Sequence, residues 1–111
     1  MKTRIDLNML DFKKNRGLIP AVIQDKRSKE ILMLGYMNKE SFRLTLKTKW
    51  VHFWSRSRNR LWMKGEKSGN KLRVVNITSD CDNDSLLIEV KLIGHYTCHS
   101  GSRSCFFNLI E

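Results

Sequence analysis

Leu18-Ile19-Pro20-Ala21-Val22-Ile23-Gln24, then Asp25-Lys26-Arg27-Ser28-Lys29, then Glu30-Ile31-Leu32-Met33-Leu34-Gly35-Tyr36: two runs rich in Ile, Val, Leu and Met flank five polar residues. Short apolar runs separated by a polar turn read as two strands of a hairpin. Downstream, Asn38 is placed to cap a helix running to about Lys47, with Phe42 and Leu46 on one face and Leu44 flanking. Trp50 to Ser55, Lys71 to Ser79 and Leu86 to Ile93 read as further strands, and the apolar tail Phe106 to Ile110 as a last one. Arg56 to Asn70, polar and containing glycine, reads as a loop. Mainly strands with one substantial helix make an α+β domain.

The chain of 111 residues fits one domain, 1–111. An apolar fraction of 41% and a charged fraction of 29% are those of a soluble globular protein. No apolar run approaches the ~20 residues that cross a bilayer. Met1 to Leu10 mixes acids and bases and lacks the apolar stretch of a signal peptide, so a cytoplasmic location is expected. Twenty-one Lys and Arg against 11 Asp and Glu give a net charge of +10, which favours nucleic acid, a phosphorylated small molecule, or simply a solvated basic surface. The three cysteines, Cys81, Cys98 and Cys105, all fall in the last third. An odd number in a cytoplasmic chain argues for metal or reactive thiols rather than disulfides.

Asp80-Cys81-Asp82-Asn83-Asp84 packs three carboxylates and a thiol into five residues. An extended backbone there sends Asp80, Asp82 and Asp84 to one side and Cys81 to the other. Hard carboxylates suit Mg²⁺ and a soft thiolate suits Zn²⁺, so the alternation points to two metals. A calcium-binding EF-hand is excluded, because Ser85 stands at its glycine position and Lys91 at its bidentate glutamate. Cys98 and Cys105 are too widely spaced for a zinc ribbon or finger. Three thiolates leave a fourth tetrahedral position, which His99 would close in a structural site or leave open to water in a catalytic one.

From His52 to Arg73, seven basic residues accompany one acid, with Phe53, Trp54 and Trp62 interleaved. This suits a platform where single-stranded bases stack. It equally suits a nucleotide pocket in which Arg56, Arg58 and Lys64 grip phosphates and Ser55, Ser57 and Ser68 add hydrogen bonds. A P-loop is ruled out by the spacing of Gly65 and Gly69.

Taken together, these segments resemble the phosphoribosyl-AMP cyclohydrolase family. The resemblance rests on His52-Phe53-Trp54-Ser55-Arg56-Ser57-Arg58, on Leu61-Trp62-Met63-Lys64-Gly65-Glu66 with Ser68-Gly69-Asn70, on Asp80-Cys81-Asp82-Asn83-Asp84, and on Cys98-His99 with Arg103-Ser104-Cys105-Phe106. Leu18 to Ala21, Gln24-Asp25 and Leu32 to Asn38 extend it over a core of about 18–107. Two departures stand out: His95-Tyr96-Thr97, where relatives often carry a proline, and Ser102, where a basic residue is common. The chain's end soon after Cys105 is that expected of a stand-alone form without a fused phosphoribosyl-ATP pyrophosphatase domain.

The resemblance implies hydrolysis of the N1–C6 bond of the adenine ring in 1-(5-phosphoribosyl)-AMP, in histidine biosynthesis. It implies an intertwined homodimer with Zn²⁺ bound between subunits, Cys81 from one chain and Cys98 and Cys105 from the other. Asp80, Asp82 and Asp84 carry over as Mg²⁺ ligands, and Trp54, Ser55, Arg56, Ser57, Arg58, Lys64, Ser68 and Arg103 as substrate-binding residues. His99, beside a zinc ligand and of a type that titrates near neutrality, is the candidate catalytic proton shuttle. This reading involves neither nucleic acid nor a membrane. The alternative is a small zinc-stabilised nucleic-acid-binding module without turnover.

Overall fold

The computed structural model describes residues 4–111, so the reading of Met1 to Leu10 lies partly outside the described residues. A 3-10 turn at Leu7–Met9 precedes β1 (Ile19–Asp25), β2 (Ile31–Met37), α1 (Lys39–Thr48), β3 (His52–Ser55), β4 (Arg60–Met63), β5 (Lys71–Ser79) and β6 (Leu86–Ile93). The α+β class expected from the sequence is what forms. Four strands make one sheet in the order β2-β1-β6-β5, and β3 and β4 make a separate ribbon. β1 pairs antiparallel with β2 but parallel with β6, and β5 pairs antiparallel with β6.

β1 alternates strictly: Ile19, Ala21, Ile23 and Asp25 are buried and the residues between them half-buried. Pro20, which cannot donate to a ladder, sits one residue before the pairing with β6 begins at Ala21. Leu32, Met33, Met37, Leu72, Leu86, Ile88 and Val90 complete the sheet's share of the core. Asn38 caps α1 in a reciprocal box: its side chain accepts from Ser41 N at 2.9 Å, and Ser41 Oγ accepts from Asn38 N at 2.9 Å. Phe42 is buried and Leu46 packs on the core, as the apolar spacing requires. Thr45, also buried, donates from Oγ1 to Ser41 O and accepts from His52 N at 2.9 Å, which ties the helix to the start of β3. Among the described residues, no helix is long and apolar enough to cross a membrane.

Two expectations are corrected here. The segment Arg56 to Asn70 is not all loop: Arg60–Met63 forms β4 and pairs residue for residue with β3, Phe53 opposite Trp62. Three apolar residues, Leu61 to Met63, between Arg60 and Lys64 are too short a run to signal a strand without the partner β3. Phe106 to Ile110 forms no strand, and Leu109 and Ile110 are 90% and 98% exposed. The chain docks on β2 one residue earlier, through Cys105 N to Leu32 O, and beyond that point the tail's backbone meets no strand with which to pair.

The ribbon is seated by a missing side chain. A Cβ at Gly35 would lie 2.5 Å from Cε1 of Phe53, so β2 carries glycine where the fully buried Phe53 ring crosses it. Phe53 in turn stacks tilted on Trp62, with centroids 5.3 Å apart. Gly35→Ala is expected to cost about 1–3 kcal/mol through overpacking, read as a lower urea midpoint with unchanged slope.

On β6, the Glu89 side chain is 9% exposed yet charged, held by Lys29 Nζ at 2.7 Å, Asn76 Nδ2 at 3.2 Å and Lys26 Nζ at 3.7 Å. The Lys29 hydrogen bond above all, then that of Asn76, pulls its carboxyl from the ordinary 4.5 down to about 2. A value depressed by folding stabilises the native state above the unfolded pKa, and the benefit drains away as pH falls from about 4.5 toward 2. Denaturation midpoints should therefore fall over that window in the native chain, and fall less steeply in Glu89→Gln, which should already be weaker at pH 6.

Candidate active site

β6 is followed by Gly94, whose φ of +119° no other residue adopts without strain. An added Cβ there would also collide with Oδ1 of the buried Asn70, which accepts from His95 N at 2.8 Å. The chain then turns tightly, with Cys98 N and Thr97 N both donating to Ser102 O and Gly101 N donating to Cys98 O. Ser104 Oγ donates to Ile31 O and Cys105 N to Leu32 O, fastening the loop to the start of β2. Cys98 is thereby buried, Cys105 half-buried, and both are free thiols.

The two thiols are close enough to perturb each other, and the Lys64 ammonium joins them. Hydrogen bonding from Ser100, whose hydroxyl lies 3.1 Å from the sulfur, lowers the Cys98 thiol's pKa. Burial, then the neighbouring Cys98, raises that of Cys105. Lys64 donates to Thr97 O, and its own burial pushes its pKa below the usual lysine value against the pull of both sulfurs. Thr97 Oγ1, next to Cys98, is the one buried side-chain polar atom among the described residues with no hydrogen-bond partner. Such an atom marks a place where a further group completes the bonding. Two soft thiols, one of lowered pKa, suit Zn²⁺.

Cys81 is not with them. It is exposed in the turn between β5 and β6, while Cys98 and Cys105 sit beyond the other end of β6 and against β2. Among the described residues, the three sulfurs form no common group.

The turn itself departs from the extended backbone expected of Asp80 to Asp84. Asp80 Oδ1 accepts from Asp84 N at 3.1 Å and Ser85 N at 3.2 Å, and Asn83 adopts a left-handed φ of +59°. Aspartate bonding to the backbone ahead of it makes the chain turn. The carboxylates converge all the same: Asp80, Asp82 and Asp84 offer oxygens within 4.8 Å of one another. A set of hard oxygens this close suits a divalent cation such as Mg²⁺. Lys14 reaches across to this cluster, its Nζ 2.8 Å from Asp84 Oδ2 and 3.1 Å from Asp82 Oδ2. Its hydrogen bond is the chief reason the Asp84 carboxyl titrates below the usual range. Nothing in the sequence pattern tied residues 1–17 to the aspartates. The missed signal was a lysine held near the turn by Asp11 N bonding to Asn83 O and by Phe12 packed on Phe42.

Trp54, Ser55, Arg56 and Ser57 come together where β3 crosses β2, lining a cavity of about 510 Å³ with Met33, Tyr36 and Trp62, a size typical of small-molecule sites. The Arg56 guanidinium lies 3.9 Å from the centroid of Tyr36, a partner not anticipated from the sequence. The other proposed contacts are dispersed. Arg58 is exposed at the β3–β4 turn, its N bonded to Ser55 Oγ at 3.2 Å. Lys64 belongs to the thiol end, and Ser68 caps the 65–70 loop by accepting from Asn70 N. Arg103 pairs with Glu30 at 2.8 Å and Asp25 at 3.3 Å. His99 is exposed immediately beside Cys98.

A family model for phosphoribosyl-AMP cyclohydrolase matches residues 33–107. A protein of that name from Listeria innocua serovar 6a is 54% identical over 105 residues, 95% of this chain and 97% of the relative. Another, from Archaeoglobus fulgidus, is 54% identical over 96 residues, 86% of this chain and 88% of the relative. The histidine biosynthesis bifunctional protein of Blochmanniella floridana is 59% identical over 97 residues, 87% of this chain and 45% of the relative. The chain belongs to the phosphoribosyl-AMP cyclohydrolase family. Cys98, Cys105 and the cavity residues are grouped by β2, the β3–β4 ribbon and the loop after β6, whereas Cys81, Asp80, Asp82 and Asp84 lie in the turn before β6. The acidic turn therefore stands apart in this cyclohydrolase chain.

Arg56 offers the clearest handle on the cavity. With AMP as the probe, Arg56→Gln is expected to weaken binding by roughly tenfold, the worth of one charge-assisted contact of about 1.4 kcal/mol, read by equilibrium dialysis.

Proposed function

We propose that this cyclohydrolase opens the adenine ring of 1-(5-phosphoribosyl)-AMP at N1–C6, as a homodimer that builds its zinc sites from two chains. The enzyme is a hydrolase of histidine biosynthesis, as its family relation gives. The observation that carries the finer reading is the placement of the thiols: Cys98 and Cys105 side by side with Lys64, and Cys81 held outward at the opposite end of β6. A second copy is what brings a third sulfur to the pair. The exposed tail supports such an assembly. Phe106, Phe107, Leu109 and Ile110 leave 55% to 98% of their surfaces open, an apolar patch of the kind that marks an interface. Free thiols as ligands belong in a reducing compartment, which fits the cytoplasm.

The substrate's N1 bears a ribose phosphate, so the ring is cationic and C6 electrophilic. Trp54, in the cavity wall, offers a face to the base, and Arg56 with Ser55 and Ser57 offers donors to phosphate. Zn²⁺ held by Cys81, Cys98 and Cys105 would lower the pKa of water to about 7 and so supply hydroxide for C6. Mg²⁺ held by Asp80, Asp82 and Asp84 would supply positive charge toward the phosphates. When water's oxygen bonds to C6 and the C6–N1 bond breaks, C6 keeps its amino nitrogen as a carboxamide, and N1, still bonded to C2, leaves as an amidine nitrogen needing a proton. His99, exposed beside Cys98, delivers that proton to N1.

Following absorbance with phosphoribosyl-AMP tests the chemistry. Cys98→Ser should lose bound zinc and turnover together, while His99→Ala should keep zinc and lose about 100-fold in kcat. Near-normal turnover in His99→Ala at neutral pH would discard the shuttle. Mixing Cys81→Ser with Cys98→Ser and allowing subunits to exchange should restore roughly a quarter of native activity, because each mixed dimer holds one intact site. No recovery from verified mixed dimers would discard the shared site.

A further inference from the structure

The lysine over the acidic turn has no part in the chemistry above, yet it is built into place. Leu10 and Phe12 are buried in the core, Phe12 against Phe42 with centroids 6.1 Å apart, and Asp11 N donates to Asn83 O at 2.8 Å. Asp11 Oδ1 then accepts from Lys13 N and Lys14 N, turning the chain so that Lys14 faces the carboxylates. Its ammonium contacts Oδ2 of both Asp82 and Asp84. Asp80 meanwhile is committed to the turn through Oδ1, which fixes the distance between the three acids.

We infer that Lys14 is an intramolecular cation that competes with the divalent ion for the Asp82 and Asp84 carboxylates of the Asp80, Asp82 and Asp84 cluster, and so sets how tightly the turn holds metal. The inference rests on the reading of that turn as the Mg²⁺ site. The ammonium takes Oδ2 of two of the three carboxylates between which a metal would sit, so a like-charged cation and the ammonium cannot both hold the cluster fully at once. A protein whose binding-competent form is only a fraction of the total binds with its affinity reduced by that fraction. Lys14 is about half exposed, as is Asp82, so each ion pair is modest and competition between two of them amounts to roughly fivefold to tenfold. The arrangement also keeps three close carboxylates from repelling one another and opening the turn when metal is scarce. The anchoring of residues 10–12 remains when Lys14 lets go, because it uses backbone and aromatic contacts rather than the ammonium.

The test is Mn²⁺ binding to the purified full chain, followed by electron paramagnetic resonance of the free ion, with Asp84→Asn to assign binding to the turn. Lys14→Met should tighten the Asp84-dependent Kd by roughly fivefold to tenfold, and Lys14→Arg should stay near the native value. Equal or weaker binding in Lys14→Met, with thermal unfolding unchanged, would overturn the competition. Should Lys14→Met fold poorly, reductive methylation of the native chain serves instead. Saturating Mg²⁺ should raise labelling of Lys14 severalfold while leaving Lys26 unchanged, and unaltered Lys14 labelling under saturation would overturn the inference. If neither native chain nor variant shows Asp84-dependent binding, the metal reading of the turn itself falls; if both bind equally, only the role of Lys14 does.

Discussion

The parallel pairing of β1 with β6 governs the distribution of chemistry in this chain. Parallel neighbours cannot be joined by a hairpin, so everything between them must cross over. Here the crossover carries β2, α1, the β3–β4 ribbon and β5 before the chain returns as β6. Because β6 is a central strand of eight residues, its two ends open at opposite ends of the sheet. The acidic turn with Cys81 precedes it and the Cys98–Cys105 loop follows it. At about 3.3 Å per residue, β6 alone separates those chemistries by roughly 23 Å along the strand. A mononuclear site using all three thiols is therefore closed to a lone chain, and assembly and site formation become one event in the proposed dimer.

At the thiol end, precision is imposed by polar groups taken out of water. Asn70 is buried and holds His95 N, Lys64 is half-buried and holds Thr97 O, and Ser104 holds Ile31 O. Each bond crosses between segments far apart in sequence, and leaving any one unmade would strand a buried donor or acceptor at a cost of about 1–3 kcal/mol. Glycines complete the seating: Gly65 and Gly94 both press against Asn70 where no Cβ would fit. The loop bearing Cys98 and Cys105 is thus positioned by β2, the ribbon and the 65–70 turn together.

Local chemistry made much of this legible in the sequence. β5 and β6 were readable to their ends because aliphatic clusters alternate between turn-forming residues, and α1 was readable from Asn38 and the Phe42/Leu46 spacing. The acids at 80, 82 and 84 were readable as a cluster, though a turn and not an extended strand gathers them, since their own carboxylates compete for the backbone. What stayed hidden depends on distant partners. β4 is four residues among charges and is defined by facing β3. Tyr36 under Arg56, Lys14 over the aspartates and Lys64 beside the thiols all join segments that no spacing rule connects. Phe106 to Ile110 has the composition of a strand, but the chain leaves the β2 edge after Cys105 N bonds to Leu32 O, and composition does not show where a chain departs from a sheet.

The basic surplus acquires meaning once pairings are traced. Lys14, Arg60 and Arg103 pair with carboxylates, and Lys26 and Lys29 share that of Glu89, whereas among the described residues Arg56 forms no ion pair and rests on the ring of Tyr36. An aromatic face holds a guanidinium by its quadrupole and its flat surface without consuming the N–H donors that lie in the guanidinium plane. A carboxylate would have consumed them and cancelled the charge. Arg56 is consequently oriented yet electrically unspent at the cavity wall, with Ser55 and Ser57 adjacent. That is the condition in which an incoming phosphate gains most, since its partner needs neither to be ordered nor to be stripped from a competing anion.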